Sequence, residues 1–167
     1  MSPARADSAV RLNRAELVQK GEMWHLDGGF EIRLSATLDE ALRRGVQLTF
    51  VQEFESQRPR DWWLAEDIAE LSRVVRLSFN ALLKQYYVTV SGHSETLDTL
   101  DEALRSVGDL SGWAVMHQSQ VRKKQSHTAA VRMYLDVTQL PKPLQLNAVA
   151  STRWQLDSGW QEWRFKP

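Results

Sequence analysis

The residues able to do acid–base, metal or nucleophilic chemistry are scattered along this chain. Its four histidines are His25, His93, His117 and His127. None lies three or four residues from another, so the helical spacing that holds a zinc ion is missing and each reads as a structural or surface histidine. Asp39-Glu40, Glu66-Asp67 and Asp101-Glu102 are adjacent carboxylates, the residue type that hydrolases use in pairs. The first and third pairs are explained by helix starts, and the second falls in a polar turn. The chain has no cysteine, which excludes thiol catalysis, Cys-ligated zinc and disulfides. Glycine-rich phosphate loops, zinc-protease helices, EF-hands and nucleophile elbows are absent from it. The expectation is therefore a non-enzyme with no catalytic residue, no metal site and no cofactor.

What remains is recognition chemistry. Arg58, Arg60, Arg73 and Arg76 surround Trp62-Trp63 in the sequence. Arginine with tryptophan is the composition of binding hot spots; the alternative is cation–π packing that closes a loop. Arg122-Lys123-Lys124 reads as a solvated loop tip, with a membrane-surface contact as its alternative. Trp154, Trp160, Trp163 and Phe165 either cap the core or form an apolar lip for a peptide or lipid.

The elements that must position these groups are organised around a phrase that occurs twice. Thr37-Leu38-Asp39-Glu40-Ala41-Leu42-Arg43 returns as Thr99-Leu100-Asp101-Glu102-Ala103-Leu104-Arg105. Each copy reads as a short helix. Thr with Glu three residues on is a capping box. The acids sit in the first turn and Arg near the end, as the helix dipole favours. Leu38, Ala41 and Leu42 make one apolar stripe, and Leu100, Ala103 and Leu104 another, with Leu97 extending the second helix backwards. Gly45 and Gly108 stand where each helix should stop.

Around these helices the chain alternates apolar and polar residues, the period of a half-buried strand. Residues 10–18 and 22–26 flank Lys20-Gly21 as a hairpin, and Asp27-Gly28-Gly29 suggests a bulge or bend. Strands follow at Phe30, Ile32 and Leu34, at Val46, Leu48 and Phe50, and at Val75, Leu77 and Phe79. Pro59 predicts a turn, and residues 64–70 a helical turn. Tyr86, Val88 and Val90 complete a hairpin; Trp113, Val115 and His117 form a strand, as do Ala129, Val131, Met133 and Leu135. Pro141 and Pro143 stop that strand. Leu144, Leu146, Ala148 and Ala150 predict another, paired with the tail. The order strand, helix, strand, strand over residues 30–79 recurs over residues 84–136, which suggests two β-α-β-β repeats.

The expected architecture is α+β, mostly antiparallel: a two-sheet β-sandwich-like domain over residues 10–167, with the two short helices covering an end or edge and most of the seven tryptophans buried. At 167 residues the chain buries enough surface to fold without a staple. Its formal net charge of zero argues against nucleic acid as a partner. No apolar run approaches the ~20 residues of a membrane helix. Residues 1–9 read as a mobile leader. Within it Ala4-Arg5-Ala6 carries the small residues that a signal peptidase reads, and the preceding charged and apolar regions of a signal peptide are missing. Residues 1–6 then read as the tail of a removed export signal.

Several segments together resemble a bacterial family catalogued as domain of unknown function 4390, also described as proline-rich signal peptide proteins. They are Leu38-Asp39-Glu40-Ala41-Leu42 with Gly45-Val46, Arg60-Asp61-Trp62-Trp63, and Arg76-Leu77-Ser78-Phe79-Asn80 with Gln85-Tyr86. Leu140-Pro141-Lys142-Pro143-Leu144-Gln145 and Trp154-Gln155-Leu156-Asp157-Ser158-Gly159-Trp160 continue the likeness, which spans residues 15–165. The resemblance implies a protein exported to the periplasm of a proteobacterium, with nitrogen-regulation-type two-component systems as neighbours. It supplies no activity and no catalytic residues. The resulting expectation is a periplasmic interaction domain, accessory to an envelope sensor kinase, that contacts its protein partner through Arg60, Trp62, Trp63, Pro141, Lys142 and Pro143. A periplasmic carrier or sensor of a small apolar ligand or lipid is the alternative.

Overall fold

The computed structural model describes residues 8–60 and 64–167, the side chains of Pro59, Arg60 and Leu64 excepted. In chain order the elements are β1 (Ala9–Lys20), β2 (Met23–Arg33), α1 (Ala36–Arg43), β3 (Leu48–Arg60), β4 (Leu64–Asn80), β5 (Gln85–Val90), β6 (His93–Leu97), α2 (Leu100–Gly108), β7 (Trp113–His117), β8 (His127–Leu135), α3 (Lys142–Ala150) and β9 (Gln161–Phe165). Short 3₁₀ turns lie at Gln118–Gln120, Val137–Gln139 and Thr152–Trp154. A smaller antiparallel sheet has the order β1-β2-β7, a larger one β6-β5-β4-β3-β8-β9. The architecture is the expected α+β sandwich-like arrangement.

The alternation sets the layers. On β3, Leu48, Phe50, Gln52, Phe54, Ser56 and Arg58 are all buried, and the opposite residues on β8, Leu135, Met133, Val131 and Ala129, are buried on the same face. Across the other edge of β3, Val75 and Leu77 of β4 continue this inner face, with Val88 of β5 beyond. β2 supplies Leu26, Phe30 and Ile32 from the smaller sheet. Among the described tryptophans only Trp154 is fully buried; Trp24, Trp113 and Trp163 are half-buried and Trp160 is exposed. The expectation that most rings would be buried does not hold for them.

Both copies of the repeated phrase are helical, but they are capped differently. Ser35 caps α1, its Oγ accepting from Leu38 N at 3.2 Å, so Thr37 lies inside the helix. Thr99 caps α2 as expected, accepting from Glu102 N at 3.2 Å, while Glu102 reaches back to Asp98 N at 3.4 Å. Leu97 belongs to β6, opposite Tyr86, and does not extend the helix. α1 sits with α3 at one end of the molecule, whereas α2 lies between the layers, against β2 on one side and β4–β5 on the other. It gets that close because Gly108 has no side chain: a Cβ there would stand 2.1 Å from the carbonyl oxygen of Phe30. Nearby, the β1–β2 register shifts between Leu12 and Arg14, opposite Gly28-Gly29. Gly28 takes φ +146, and a Cβ would meet Arg14 O at 1.9 Å, so the glycine pair marks a bulge inside an unbroken strand.

Three expectations are corrected. Residues 64–70 are strand, because a ladder of pairs from Arg60↔Leu64 to Ser56↔Ala69 holds them against β3. Pro59 is not at the turn; it is paired with Ala65, past the last β8 partner, where a strand residue without an N–H costs least. Residues 144–150 are the helix α3 and not a strand, with Pro141 at its N-cap and Pro143 in its first turn. Leu144 and Ala148 are separated by a multiple of two and also by one helical turn, so spacing alone did not choose.

The order β-α-β-β recurs, but the pairing does not. β3 and β4 form a hairpin within one sheet, whereas β7 joins the smaller sheet and β8 the larger.

Candidate functional site

The β3–β4 hairpin is longer than its surroundings. β8 accompanies β3 as far as Gln57↔Thr128, and β5 accompanies β4 only from Val75 onward. The pairs Arg58↔Glu66, Pro59↔Ala65 and Arg60↔Leu64 therefore stand beyond both neighbours as a two-stranded arm. Residues 61–63 connect its strands and lie outside the described residues, as do the side chains of Arg60, Trp62 and Trp63 that the sequence singled out.

The root of the arm is polar and buried. Arg58 is ion-paired across the arm with Glu66, while on the exposed outer face Gln57 Nε2 donates to Asp67 Oδ1 at 2.8 Å. Ser56 Oγ donates to the carbonyl of Thr128 at 2.9 Å. His127, fully buried, lies against the Phe165 ring, with centroids 5.2 Å apart. Its Nδ1–H donates to Gln125 O at 2.9 Å, and its Nε2 accepts from Arg122 N at 3.4 Å. That pattern fixes the neutral imidazole. Burial pushes its pKa below the ordinary value, the Gln125 bond opposes the shift, and the nearby Arg58 charge adds to it.

The outer face of this root is acidic. Glu55 stands directly opposite Glu70, and Glu53, Asp67 and Glu162 are close enough to act on it. Burial first, and these charges next, push the Glu55 carboxyl up. Arg132 answers only one side, bonding Asp157 through two nitrogens at 3.0 and 2.6 Å and reaching Glu53 at 3.5 Å.

The arginine group does not act as one cluster. Arg73 turns inward: its Nε donates to Gln52 Oε1 at 2.7 Å, NH2 donates to Asp109 O at 3.0 Å, and its guanidinium stacks 4.5 Å from the Trp113 ring. The cation–π contact of Arg73 is made with a tryptophan forty residues on that spacing could not nominate; Trp62 and Trp63 lie outside the described residues. Arg76 faces the other way, opposite Thr49.

Pro141, Lys142 and Pro143 are exposed, but they follow β8 at the end of the sheet where β3 begins. Phe50, opposite Leu135, and Arg60 are ten residues apart on β3, roughly 33 Å of extended chain. The backbone of Arg60 and the Pro141–Pro143 segment thus lie at opposite ends of the larger sheet; Trp62 and Trp63 lie outside the described residues.

The histidines are dispersed over β2, β6, β7 and β8, and no group that could hold a metal occurs among the described residues. One local constellation escaped the sequence reading. His117 Nδ1 lies 2.8 Å from Ser119 Oγ, and its Nε2 is 3.7 Å from Glu22. The order resembles a hydrolase triad, but Nδ1 also accepts the Ser119 backbone N–H at 3.1 Å, and Gln120 Oε1 accepts from His117 N at 2.7 Å. This is a reciprocal cap of the 3₁₀ turn, and the Glu22 separation exceeds a hydrogen bond. An open cleft of about 480 Å³ between α2 and the β1–β2 bulge is lined by Asn13, Phe30, Glu31, Asp101, Leu104 and Arg105, a mixed and largely polar set.

The sequence model of the family described as Domain of unknown function (DUF4390) matches residues 7–164, and the chain belongs to that family. No curated protein and no solved structure matches the chain.

Proposed function

We propose that this member of the DUF4390 family is a non-enzymatic domain, exported to the periplasm, that binds a protein partner in the cell envelope through the β3–β4 arm. The observation that carries the reading is the open edge of β4 that runs from the arm into its root. Over residues 64–74, β4 has β3 on one side and, among the described residues, no hydrogen-bonded strand on the other, although β7 passes near it; of its carbonyls there, that of Ile68 accepts from Gln120 Nε2 at 2.9 Å. An open strand edge is a template for a further strand. The exposed Asp67 and Glu70 lie along this stretch and disfavour pairing with a second, equally acidic edge. They favour an extended partner segment bearing lysine or arginine. The extracytoplasmic part of a two-component sensor kinase is the partner that the family resemblance suggests, and Ala4-Arg5-Ala6 supports export. The lining of the α2 cleft offers less to an apolar ligand than the arm offers to a peptide.

The test is site-specific photo-crosslinking in cells, with the probe at Asp67 at the base of the arm and at Arg11 on β1 as control. One defined envelope protein captured at Asp67, not at Arg11, and lost with Trp62→Ala/Trp63→Ala is expected. Equal capture at both positions, or none, overturns the interaction. An uncleaved N-terminus in the cytoplasmic fraction overturns export.

A further inference from the structure

Of the four strands at the edges of the two sheets, three are short and one is not. β6, β7 and β9 have five residues each, whereas β1 has twelve. Shortness guards an edge against pairing with another chain, and β1 lacks that guard. β2 pairs with it along its whole length on one side. On the other side, among the described residues, no hydrogen bond reaches its backbone. The ladder to β2 sets the faces of β1. Val10, Leu12, Ala15 and Leu17 stand opposite the buried Ile32, Phe30, Gly28 and Leu26, so they form its inner face, yet all four are only half-buried. Arg11 and Glu16 stand opposite Glu31 and Asp27 on the outer face. Inner positions are even-numbered before the bulge at Asn13 and odd-numbered after it, because the extra residue shifts the alternation by one.

That shift decides what can pair with the free edge. A bulge blunts an edge against most strands. A second β1, antiparallel to the first about a two-fold axis, is the strand that carries the matching shift. With the axis on Asn13, Leu12 would meet Arg14 and Val10 would meet Glu16, inner against outer. With the axis between Leu12 and Asn13 the faces agree, but Arg11 would meet Arg14. With the axis between Asn13 and Arg14, Val10 meets Leu17 and Leu12 meets Ala15 on the inner face, and Arg11 meets Glu16 on the outer face. The bulge and the charges together select this last register.

We propose that the chain forms a two-fold dimer through β1, the two smaller sheets joining as one in the order β7-β2-β1-β1-β2-β7. An edge that complements itself is what a two-fold interface requires. Each Arg11 then lies between Glu31 of its own chain, which it bonds at 2.9 Å, and Glu16 of the second copy. Within one chain Glu16 stands opposite a like charge, Asp27, and Arg14 alone bridges the two, at 2.9 and 3.4 Å. The second copy's Arg11 adds the cation that this acidic pair lacks. The same bonds draw each Arg14 toward Glu16 and Asp27 and away from the axis. The inner side adds no such attraction: in the α2 cleft that reaches Asn13, Arg105 stands among Glu95, Asp101, Glu102 and Asp109. Those groups belong to β6, α2 and the residue after it, whereas β1 is packed against β2. The dimer does not depend on the partner assigned to the arm, and a probe at Arg11 would capture only a second copy of the chain.

Sedimentation velocity of the full chain over a concentration series tests it, and a monomer–dimer equilibrium is expected. Arg11→Glu sets two acids opposite each other at both contacts, and Glu16→Arg sets two arginines. Each variant alone should therefore weaken the dimer about tenfold or more. Mixed in equal parts, the two variants place an acid opposite an arginine at both contacts, so the dimer should return as a heterodimer. Arg11 and Glu16 are exposed, so each variant should keep the cooperative thermal unfolding of the parent. A parent that stays monomeric up to ~1 mM overturns the proposal. So does a dimer that neither variant weakens, or one that both weaken and the mixture does not restore.

Discussion

Gln52 accepts from Arg73 Nε at 2.7 Å with its side-chain oxygen and donates from Nε2 to the Val107 carbonyl at 2.8 Å. Gln52 is fully buried on the inner face of the larger sheet, and Val107 is in the last turn of α2. Arg73 also bonds the Asp109 carbonyl, so one polar relay satisfies two carbonyls that the end of α2 would leave orphaned between the sheets. Gln52→Ala removes the relay but leaves the guanidinium and the Val107 carbonyl buried. A loss of about 2–3 kcal/mol is expected in urea unfolding. Gln52→Ala in an Arg73→Met background should cost less than the sum of the two single changes, because the groups act as one network.

Gly108 and Gly112 make opposite predictions. Alanine at Gly108 would place its Cβ 2.1 Å from Phe30 O, a backbone atom that cannot swing away, so α2 must leave β2. Loss of roughly 3 kcal/mol or more, or failure to fold, is expected. Gly112 has φ +76 with open space around it, and Gly112→Ala should cost only about 1 kcal/mol of backbone strain. Equal melting temperatures for the two variants would contradict the close approach.

His127 and Glu55 contribute to the pH dependence of stability in opposite directions, and Asp157, lowered first by its Arg132 bond, adds a loss as pH falls below 3.8 through its folded value. His127 has a lowered folded pKa, so below its ordinary value of 6.5 the unfolded chain binds the proton more readily. Stability from His127 is present above that value and is lost as pH falls through the lowered folded pKa. Glu55 has a raised folded pKa; its contribution is present below 4.5 and is lost as pH rises through the raised folded value. In Glu55→Gln the acid-side loss from His127 is seen without this opposing change. In His127→Gln it should disappear, which urea midpoints measured along a pH series will show.

The acidic face should yield a stabilising substitution. Glu55 and Glu70 are directly opposite on neighbouring strands, an arrangement that costs a sheet stability. Glu70→Lys replaces the repulsion by attraction and should stabilise by about 0.5–1 kcal/mol at neutral pH and low salt. The gain should shrink as salt is added.

How far the sequence could be read depends on whether its signals were local. Strands whose one wet face alternates cleanly, such as Val75, Leu77 and Phe79 or Val131, Met133 and Leu135, were legible from period alone. Residues 64–70 were not: their acids and alanines carry no strong strand signal, and only the ladder from Arg60↔Leu64 to Ser56↔Ala69 makes them extended. Residues 144–150 fit both periods, and Pro141-x-Pro143 fits the end of a strand as well as the start of the helix it opens. The assignment of β7 to one sheet and β8 to the other, which divides the apparent repeat, rests on pairings between distant residues such as Trp24↔Met116. No local pattern encodes those. For the candidate site, the distance of Pro141, Lys142 and Pro143 from Arg60 follows from register, and Trp62 and Trp63 lie outside the described residues.

The arm itself can be removed without touching the sandwich. Arg58 and Glu66 are direct partners, so replacing residues 59–65 by Asn-Gly closes them with a two-residue turn whose twist suits antiparallel strands. The deleted pairs, Pro59↔Ala65 and Arg60↔Leu64, touch neither β8 nor β5 in the ladder, and a shorter loop costs less closure entropy. Urea stability should therefore stay within about 1 kcal/mol of the parent. Photo-crosslinking from Asp67, which remains in the shortened protein, should fall sharply if residues 59–65 contact the partner, and should persist if the remaining β4 edge, residues 66–74, carries it. A shortened chain that is stable and still crosslinks as well as the parent would move the binding surface off the arm. One that unfolds would show instead that residues 59–65 hold the root formed by Ser56, Arg58 and His127 together.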